Sequence, residues 1–208
     1  MTLTDTSQPL YSLDEHGWCR ELPRAECTNF DARPEDVDID LLVIHNISLP
    51  PGEFGGNYIA DLFANRLDCD AHPYFDQLRN LRVSAHFLVR RDGSAQQFVS
   101  TLYRAWHAGV SQFEGRDRCN DFSIGIELEG SDDEKFSDRQ YATLANLSRA
   151  ILVRHPISAV RGHENIAPGR KTDPGPHFDW ARFRADLSVR DERQLSSMKS
   201  VVAPSFPN

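Results

Sequence analysis

A short run of aliphatic residues, 41–44, is followed directly by His45. A run of this length and composition predicts a strand that is buried on both faces, as in sheets covered by helices. A second short strand is predicted over residues 157–160, and it leads to His163. Buried strands of α/β folds often carry site residues at their carboxyl ends. We therefore expect the two histidines to meet at one edge of a sheet.

Strand and helix patterns alternate along the rest of the chain. They predict a helix over 58–67, a long loop over 68–84, a hairpin around Asp92-Gly93, a strand over 122–128, a helix opened by the capping box of Ser137 and Gln140, and a last helix over 180–187. His155 lies near the end of the second of these helices, where a cation is favoured. This alternation predicts a single α/β domain with a central mixed β-sheet and flanking helices.

Composition limits the classes of function. The 208 residues carry a net charge of -8 and no basic stripe, so we expect no nucleic-acid partner. No apolar run is long enough for a membrane span, and the first ten residues lack the features of a signal peptide, which predicts a cytoplasmic protein. Four scattered cysteines are expected to be reduced thiols: Cys19, Cys27, Cys69 and Cys119.

The stretch 162–176 contains three prolines and three glycines, and it also holds His163, Lys171 and Asp173. Taken alone, a histidine at a strand end is more often a packed structural residue than a metal ligand. The presence of Asp173 favours a metal site over a structural role for the histidines, because the loop that holds Asp173 is too rigid to be a simple connector. Two histidines, His45 and His163, and one carboxylate make a catalytic type of zinc site whose fourth position is open to water.

The same chemistry assigns two further roles. Zinc lowers the pKa of a bound water to about 7, and the resulting hydroxide attacks a carbonyl carbon. Glu127 lies on the face of its predicted strand opposite the isoleucines and is the candidate base. Lys171 is the candidate cation for the oxyanion. The alternatives are a surface carboxylate paired with an arginine for Glu127 and an ordinary solvated lysine for Lys171.

Several contiguous segments resemble the AmpD-type amidases, cytoplasmic zinc enzymes that cut 1,6-anhydro-N-acetylmuramoyl-L-alanine. These segments are residues 43–56 (VIHNISLPPGEFGG), 82–86 (RVSAH), 104–110 (RAWHAGV) and 119–130 (CNDFSIGIELEG). The resemblance covers about residues 14–187, which implies an amidase domain over that range and leaves an N-terminal arm over 1–13 that is specific to this chain. From about Ser188 to residue 208 the sequence has no periodic pattern, which predicts a loose C-terminal tail. The resemblance implies the fold shared by phage-type amidases and peptidoglycan recognition proteins.

The resemblance also implies a set of site residues. One zinc ion per chain would be held by His45, His163 and Asp173, with Glu127 as general base and Lys171 at the oxyanion. A small muropeptide would be the partner, with no membrane, and we expect a monomer. The muropeptide would lie against Asn46, Tyr74, Arg82, His86, Trp106, Arg118 and Arg170. Arginine suits peptide carboxylates because its fork binds them in two places, although surface salt bridges are the alternative.

The implied reaction is hydrolysis of the amide between the lactyl group of 1,6-anhydro-N-acetylmuramic acid and L-alanine. The implied role is cell-wall recycling, with an indirect influence on β-lactamase induction. Two alternatives stay open: an amidase of the lysin type that acts on intact peptidoglycan, and a binding module that holds muropeptides without a metal. The presence of all three candidate ligands and both catalytic candidates argues against the binding module.

Overall fold

The computed structural model describes residues 11–188 and 203–207. In chain order the strands are β1 Phe30–Asp31, β2 Leu41–Ile47, β3 Phe87–Val89, β4 Ala95–Gln97, β5 Arg104–Ala105, β6 Gln112–Phe113, β7 Arg116–Asp117, β8 Ser123–Glu129 and β9 Ala159–Gly162. The α-helices are α1 Tyr58–Phe63, α2 Asp138–Arg154, α3 His163–Ile166 and α4 Trp180–Ser188. Within the described ranges, no helix combines the length and the apolar character needed to cross a bilayer.

The central sheet has five strands in the order β4-β3-β8-β2-β9. Strand β2 pairs in parallel with both β8 and β9, and β3 pairs in parallel with β8. Strand β4 returns antiparallel to β3, which confirms the hairpin predicted around Asp92-Gly93. The sheet is therefore mixed, and the predicted α/β class is confirmed. Its register sets His45 of β2 beside Glu127 of β8.

The two faces of β8 separate the core from the site. Ile124, Ile126 and Leu128 are buried in one cluster with the apolar side of α2, and burying a side chain of this size contributes about 1.5–3 kcal/mol. The predicted capping box opens α2: the Ser137 hydroxyl accepts from the Gln140 N–H, and the Gln140 side chain accepts from the Ser137 N–H. Because α2 packs against one face of β8, the polar side chain of Glu127 lies on the opposite face of that strand.

Helix α1 ends at Phe63 rather than at residue 67. Asn65 has a φ of 57°, in the left-handed region that a right-handed helix does not contain. Its side-chain amide donates to the Thr28 hydroxyl at 3.0 Å and to the Asn29 side-chain oxygen at 2.9 Å. Contacts with the N-terminal segment therefore stop the helix early, which a helical period cannot predict.

The stretch 68–84, expected to be a loop, contains a 3₁₀ helix over Pro73–Leu78. Proline occupies its first turn, and the His72 ring accepts a hydrogen bond from the Tyr74 N–H at 3.1 Å. Phe75 is fully buried and anchors this turn. The segment is therefore a fixed wall beside the carboxyl ends of the strands.

The described part of the N-terminal segment runs along the β4 edge of the sheet. The Ala25 N–H donates to the Gln97 carbonyl at 2.8 Å, and the Gln97 N–H donates to the Pro23 carbonyl at 3.1 Å. Residues 1–10, which make up most of the expected arm over 1–13, lie outside the described residues. The arm boundary stays a prediction.

At the opposite edge, residues 203–207 run beside β9. The Val160 N–H donates to the Ser205 carbonyl at 2.8 Å, and Phe206 packs against Phe183 of α4 with ring centroids 5.9 Å apart. These five residues differ from the expected loose tail because a backbone pairing and an aromatic contact hold them. Residues 189–202 and 208 of the predicted tail lie outside the described residues.

His155 follows the last residue of α2, as expected, but it is not a cation there. Its ring is only 6% exposed and forms a hydrogen bond of 2.9 Å with the Thr101 hydroxyl. Burial, reinforced by the charges of Arg154 and Arg33, lowers the pKa of His155 to about 3. The expectation of a helix-terminal cation is therefore wrong, since desolvation outweighs the helix dipole.

Acidification is expected to destabilise the fold through His155. The unfolded histidine titrates near pH 6.5 and the folded one near 3, so the unfolded state takes up the proton first. The stability present above pH 6.5 should fall as the pH drops towards 3, by about 3 kcal/mol between pH 7 and pH 4. Urea unfolding should show a weaker pH dependence for His155→Gln, whereas His16→Gln, at an exposed ring, should keep the wild-type profile. Identical profiles for His155→Gln and wild type would contradict this account.

Candidate metal centre and cleft

Three side chains converge at the carboxyl ends of β2 and β9. His45 lies in β2, His163 begins α3 directly after β9, and Asp173 lies in the following loop. The Nδ1 atoms of the two histidines are 3.1 Å apart, and each lies close to Asp173 Oδ2, at 2.9 Å from His45 and 3.1 Å from His163. The predicted meeting of His45 and His163 is therefore confirmed.

The triangle of ligand atoms is slightly smaller than the one that zinc requires. Bonds of about 2.0–2.1 Å in a tetrahedron separate neighbouring ligand atoms by about 3.3 Å. The three distances here are 2.9, 3.1 and 3.1 Å. A small outward relaxation of the two rings and the carboxylate would match that geometry, and the donor set of two imidazoles and one carboxylate is the one found in catalytic zinc sites.

The protonation states at this cluster also suit a cation. Burial lowers the pKa of His45 to about 4, although the hydrogen bond with Asp173 opposes the shift. Burial raises the pKa of Asp173, but hydrogen bonds with His163 and His45 outweigh it, and the net pKa lies below the usual range. Near neutral pH the cluster therefore presents a neutral imidazole and a carboxylate, which are the forms that bind metals.

Backbone contacts fix the loop between the second and third candidate ligands. The Glu164 N–H donates to the Asp173 carbonyl at 2.9 Å, so the two ends of the loop are joined. Gly162 permits this approach, because an added Cβ would lie 2.6 Å from the Pro174 ring. The Lys171 N–H donates to the Ala167 carbonyl at 3.1 Å inside the loop. The expected rigidity of this stretch therefore has a physical basis.

Glu127 is buried beside the three ligand atoms. Its carboxylate oxygen Oε2 has no hydrogen-bond partner within the described part of the chain. Burial and the negative charge of Asp173 raise the pKa of Glu127 well above its usual range, and the charge of Lys171 opposes the shift. The alternative of a surface carboxylate paired with an arginine is therefore wrong. A buried unpaired carboxyl costs stability unless another molecule supplies a partner.

A cleft of about 360 Å³ opens over the cluster. His45, His163 and Asp173 line its floor together with Glu127, and Lys171 lies on its wall with an exposed side chain. The apolar part of the lining comes from α1, the 3₁₀ helix and the segments around them, through Leu49, Leu62, Phe63, Leu78, Leu81 and Val83. The floor is thus polar and reactive, and the apolar part of the lining is suited to the apolar surface of a ligand.

Three of the seven expected substrate contacts line this cleft: Asn46, Tyr74 and Trp106. The Asn46 amide donates to Asp132 at 2.7 Å and to the Pro174 carbonyl at 3.1 Å, so its nitrogen is engaged within the protein. The Trp106 indole N–H donates to Asp31 at 3.2 Å. Both contacts fix the orientation of side chains that face the cleft.

The three arginines do not line the cleft in this conformation. Arg82 and Arg170 donate to backbone carbonyls, the latter at 2.8 Å to Ala108, and Arg118 is paired with Asp121 at 3.2 Å. All three have exposed side chains outside the cleft wall. The alternative of a surface salt bridge therefore describes Arg118, whereas Arg82 and Arg170 are held by backbone carbonyls instead.

His86 is also absent from the cleft, and the expectation of a substrate contact is corrected. Its ring is 0% exposed, Nδ1 accepts from the Gly125 N–H at 3.0 Å, and Nε2 lies 3.1 Å from the Tyr103 carbonyl. A ring with both nitrogens engaged in the interior cannot touch a ligand in the cleft. The ring instead connects Gly125 of β8 to the backbone at Tyr103.

His107 is the residue that sequence reasoning missed. It is not among the site residues expected from the sequence, yet it lines the cleft and its Nδ1 lies 2.9 Å from His45 Nε2. The available signal was Gly125, since a glycine inside a strand often marks the close approach of another group. An added Cβ at Gly125 would lie 2.5 Å from the His107 ring.

Comparison with known proteins places these features in a family. A model of the N-acetylmuramoyl-L-alanine amidase family matches residues 35–176. The chain is 55% identical over 186 residues to the 1,6-anhydro-N-acetylmuramyl-L-alanine amidase AmpD of Citrobacter freundii, and the alignment covers 88% of this chain and 99% of the relative.

Solved structures agree with this assignment. The structure resembles the crystal structure of a selenomethionine derivative of AmpD with a TM-score of 0.82 and 57% identity, covering 85% of this chain and 99% of that one. It shares its fold alone with a complex of peptidoglycan recognition proteins LCa and LCx, at a TM-score of 0.51 and 16% identity, covering 76% and 92% of the two chains. The chain therefore belongs to the N-acetylmuramoyl-L-alanine amidase family and, within it, to the AmpD type.

Proposed function

We propose that this chain is a zinc-dependent amidase that cleaves the bond between the lactyl group of 1,6-anhydro-N-acetylmuramic acid and L-alanine in muropeptides. The observation that carries the proposal is the triangle of His45 Nδ1, His163 Nδ1 and Asp173 Oδ2 beside the unpaired carboxyl of Glu127. The activity named for the Citrobacter freundii relative supports the choice of substrate.

Each of the site residues has a separate role in the proposed hydrolysis. Zinc at the three ligands would supply a Lewis acid that polarises the amide carbonyl and lowers the pKa of a water. Glu127 takes a proton from the attacking water at Oε2 and delivers it to the nitrogen of L-alanine as the carbon–nitrogen bond breaks. The Lys171 ammonium stabilises the negative charge on the carbonyl oxygen. The products are a free lactyl carboxylate and a peptide with a free amino group.

The cleft supplies binding surface for both halves of such a substrate. Trp106 offers a flat apolar face for the sugar or the lactyl group, and Tyr74 stands on the apolar side. The guanidinium groups of Arg82, Arg118 and Arg170 lie on exposed segments outside the cleft wall, and reorientation of these long side chains would let them meet the carboxylates of the peptide. The cytoplasmic location, the monomeric state and the part in cell-wall recycling belong to the same proposal.

Defined muropeptides are expected to separate this function from action on intact peptidoglycan. Mass spectrometry should detect free peptide released from 1,6-anhydro-muramoyl substrates and little release from the matched reducing muramoyl substrates. Purified peptidoglycan provides the second arm of the experiment. Efficient release of stem peptides from peptidoglycan, with weak cleavage of the anhydro compounds, would favour the lysin type, and binding without any cleavage would favour the non-catalytic module.

A further inference from the structure

The buried side chain of His107 contacts the ring of the candidate ligand His45. His107 packs edge to face against the His45 ring, with centroids 5.0 Å apart and an angle of 81° between the planes. Its Nδ1 is 2.9 Å from His45 Nε2, on the side of the ligand ring that faces away from Asp173 and His163. Its Nε2 lies 3.2 Å from the Ser123 hydroxyl. The two rings therefore form a short chain that ends on β8.

The direction of this hydrogen bond follows from the ligand role. An imidazole that binds a metal through Nδ1 carries its proton on Nε2 and must donate it there. His107 Nδ1 is the acceptor within hydrogen-bond distance of His45 Nε2. His107 must then be unprotonated at Nδ1 and carry its own proton on Nε2, where the Ser123 hydroxyl accepts it.

The backbone around His107 is fixed in a way that serves both histidine ligands. The Asn120 side-chain oxygen accepts from the N–H groups of His107 and Ala108, at 3.1 and 2.8 Å. The Ala108 carbonyl lies 2.9 Å from His163 Nε2. One dipeptide, 107–108, thus contacts the outer nitrogen of each ligand ring, through a side chain in one case and a carbonyl in the other.

Gly125 makes room for this arrangement. An added Cβ at that position would lie 2.5–2.7 Å from three atoms of the His107 ring. The ring is at the same time closed in by its neighbours, with only 8% of the residue exposed. The position of His107 is therefore determined by packing as well as by its hydrogen bonds.

We propose that His107 is a positioning residue for the metal: by accepting the Nε2 proton of His45 it fixes Nδ1 as the nitrogen that binds zinc. The inference rests on the proposed zinc-dependent function and adds a residue that acts on the metal through His45. Outer partners of this kind typically change metal affinity by about 10- to 100-fold when they are removed.

Zinc affinity, measured on the full chain by competition with a chromophoric chelator, tests the proposal. His107→Phe keeps an aromatic ring but removes the acceptor, and it should bind zinc about 10- to 100-fold more weakly. His107→Gln offers an amide oxygen as a new acceptor and should recover much of that loss. His155→Gln, which alters a buried histidine outside the metal centre, should keep wild-type zinc affinity.

Nitrogen-15 NMR of the zinc-loaded wild-type protein tests the same point without a substitution. The spectra should show His45 protonated at Nε2 and His107 protonated at Nε2 but not at Nδ1. A proton on His107 Nδ1, or wild-type zinc affinity in a folded His107→Phe variant, would overturn the inference and leave the proposed function intact. Failure of the wild-type protein to bind zinc would overturn both.

Discussion

Asp173→Ala is expected to abolish stoichiometric zinc binding and, with it, amidase activity. The substitution removes one of three ligand atoms and leaves His45 Nδ1 and His163 Nδ1, 3.1 Å apart, without the carboxylate that contacts both. A site with two neutral ligands also loses the only negative charge in the triangle. After dialysis, the wild-type protein should retain about one zinc per chain and the variant almost none, as measured by elemental analysis.

Glu164→Gln is the matched control for that experiment. Glu164 is a carboxylate in the same short stretch, and its side chain is outside the group of ligand atoms. The control should keep its zinc and its activity. Added zinc should raise the thermal unfolding temperature of wild type and of Glu164→Gln but not of Asp173→Ala, since only a metal that binds the folded state stabilises it. A wild-type preparation that is fully active after chelation would contradict the metal mechanism.

Glu127→Gln is expected to keep zinc and to lose turnover by a factor on the order of a hundred or more. The amide has almost the same shape as the carboxyl but cannot take a proton, and general base catalysis typically contributes about 10²- to 10⁴-fold. Because Oε2 has no hydrogen-bond partner among the described residues, the substitution breaks no observed side-chain contact at that atom. The fold should therefore be retained, and circular dichroism can check it.

Lys171→Ala tests the second catalytic role in the same assay. Its side chain is exposed on the cleft wall, so the expected effect is on turnover, by a factor on the order of a hundred, with zinc content unchanged. Lys171→Arg should lose less turnover than Lys171→Ala, since arginine keeps a positive charge at this position. Near-normal rates for Glu127→Gln or Lys171→Ala would remove the assigned role from that residue.

The parts of the site that local pattern could predict are those set by strand geometry. The aliphatic run 41–44 predicts a buried strand, and the end of such a strand predicts where His45 lies. The alternation in β8 separates Ile124 and Ile126 from Glu127, and the structure keeps that separation because a strand has a period of two. The capping box at Ser137 is equally local, and it is present as predicted.

The parts that could not be predicted depend on contacts between distant segments. His107 is 62 positions from His45 in the chain, and only the folded backbone brings them together. The early end of α1 at Asn65 depends on hydrogen bonds to the N-terminal segment. His86 is in a segment that resembles the family, yet burial gives its ring internal partners, and position in a motif does not indicate which way a side chain faces.

The two outer strands of the sheet are both occupied by segments of the same chain. The backbone of Gln97 in β4 forms hydrogen bonds with the backbone of Pro23 and Ala25. At the other edge, Ala159 at the start of β9 pairs with Ser205. Unpaired strand edges are the usual route by which sheets of different molecules join into aggregates. At these positions the chain's own segments block edge-to-edge pairing with another molecule. The reactive cleft can therefore stay open at the carboxyl ends of the strands while the backbone at these edge positions is paired.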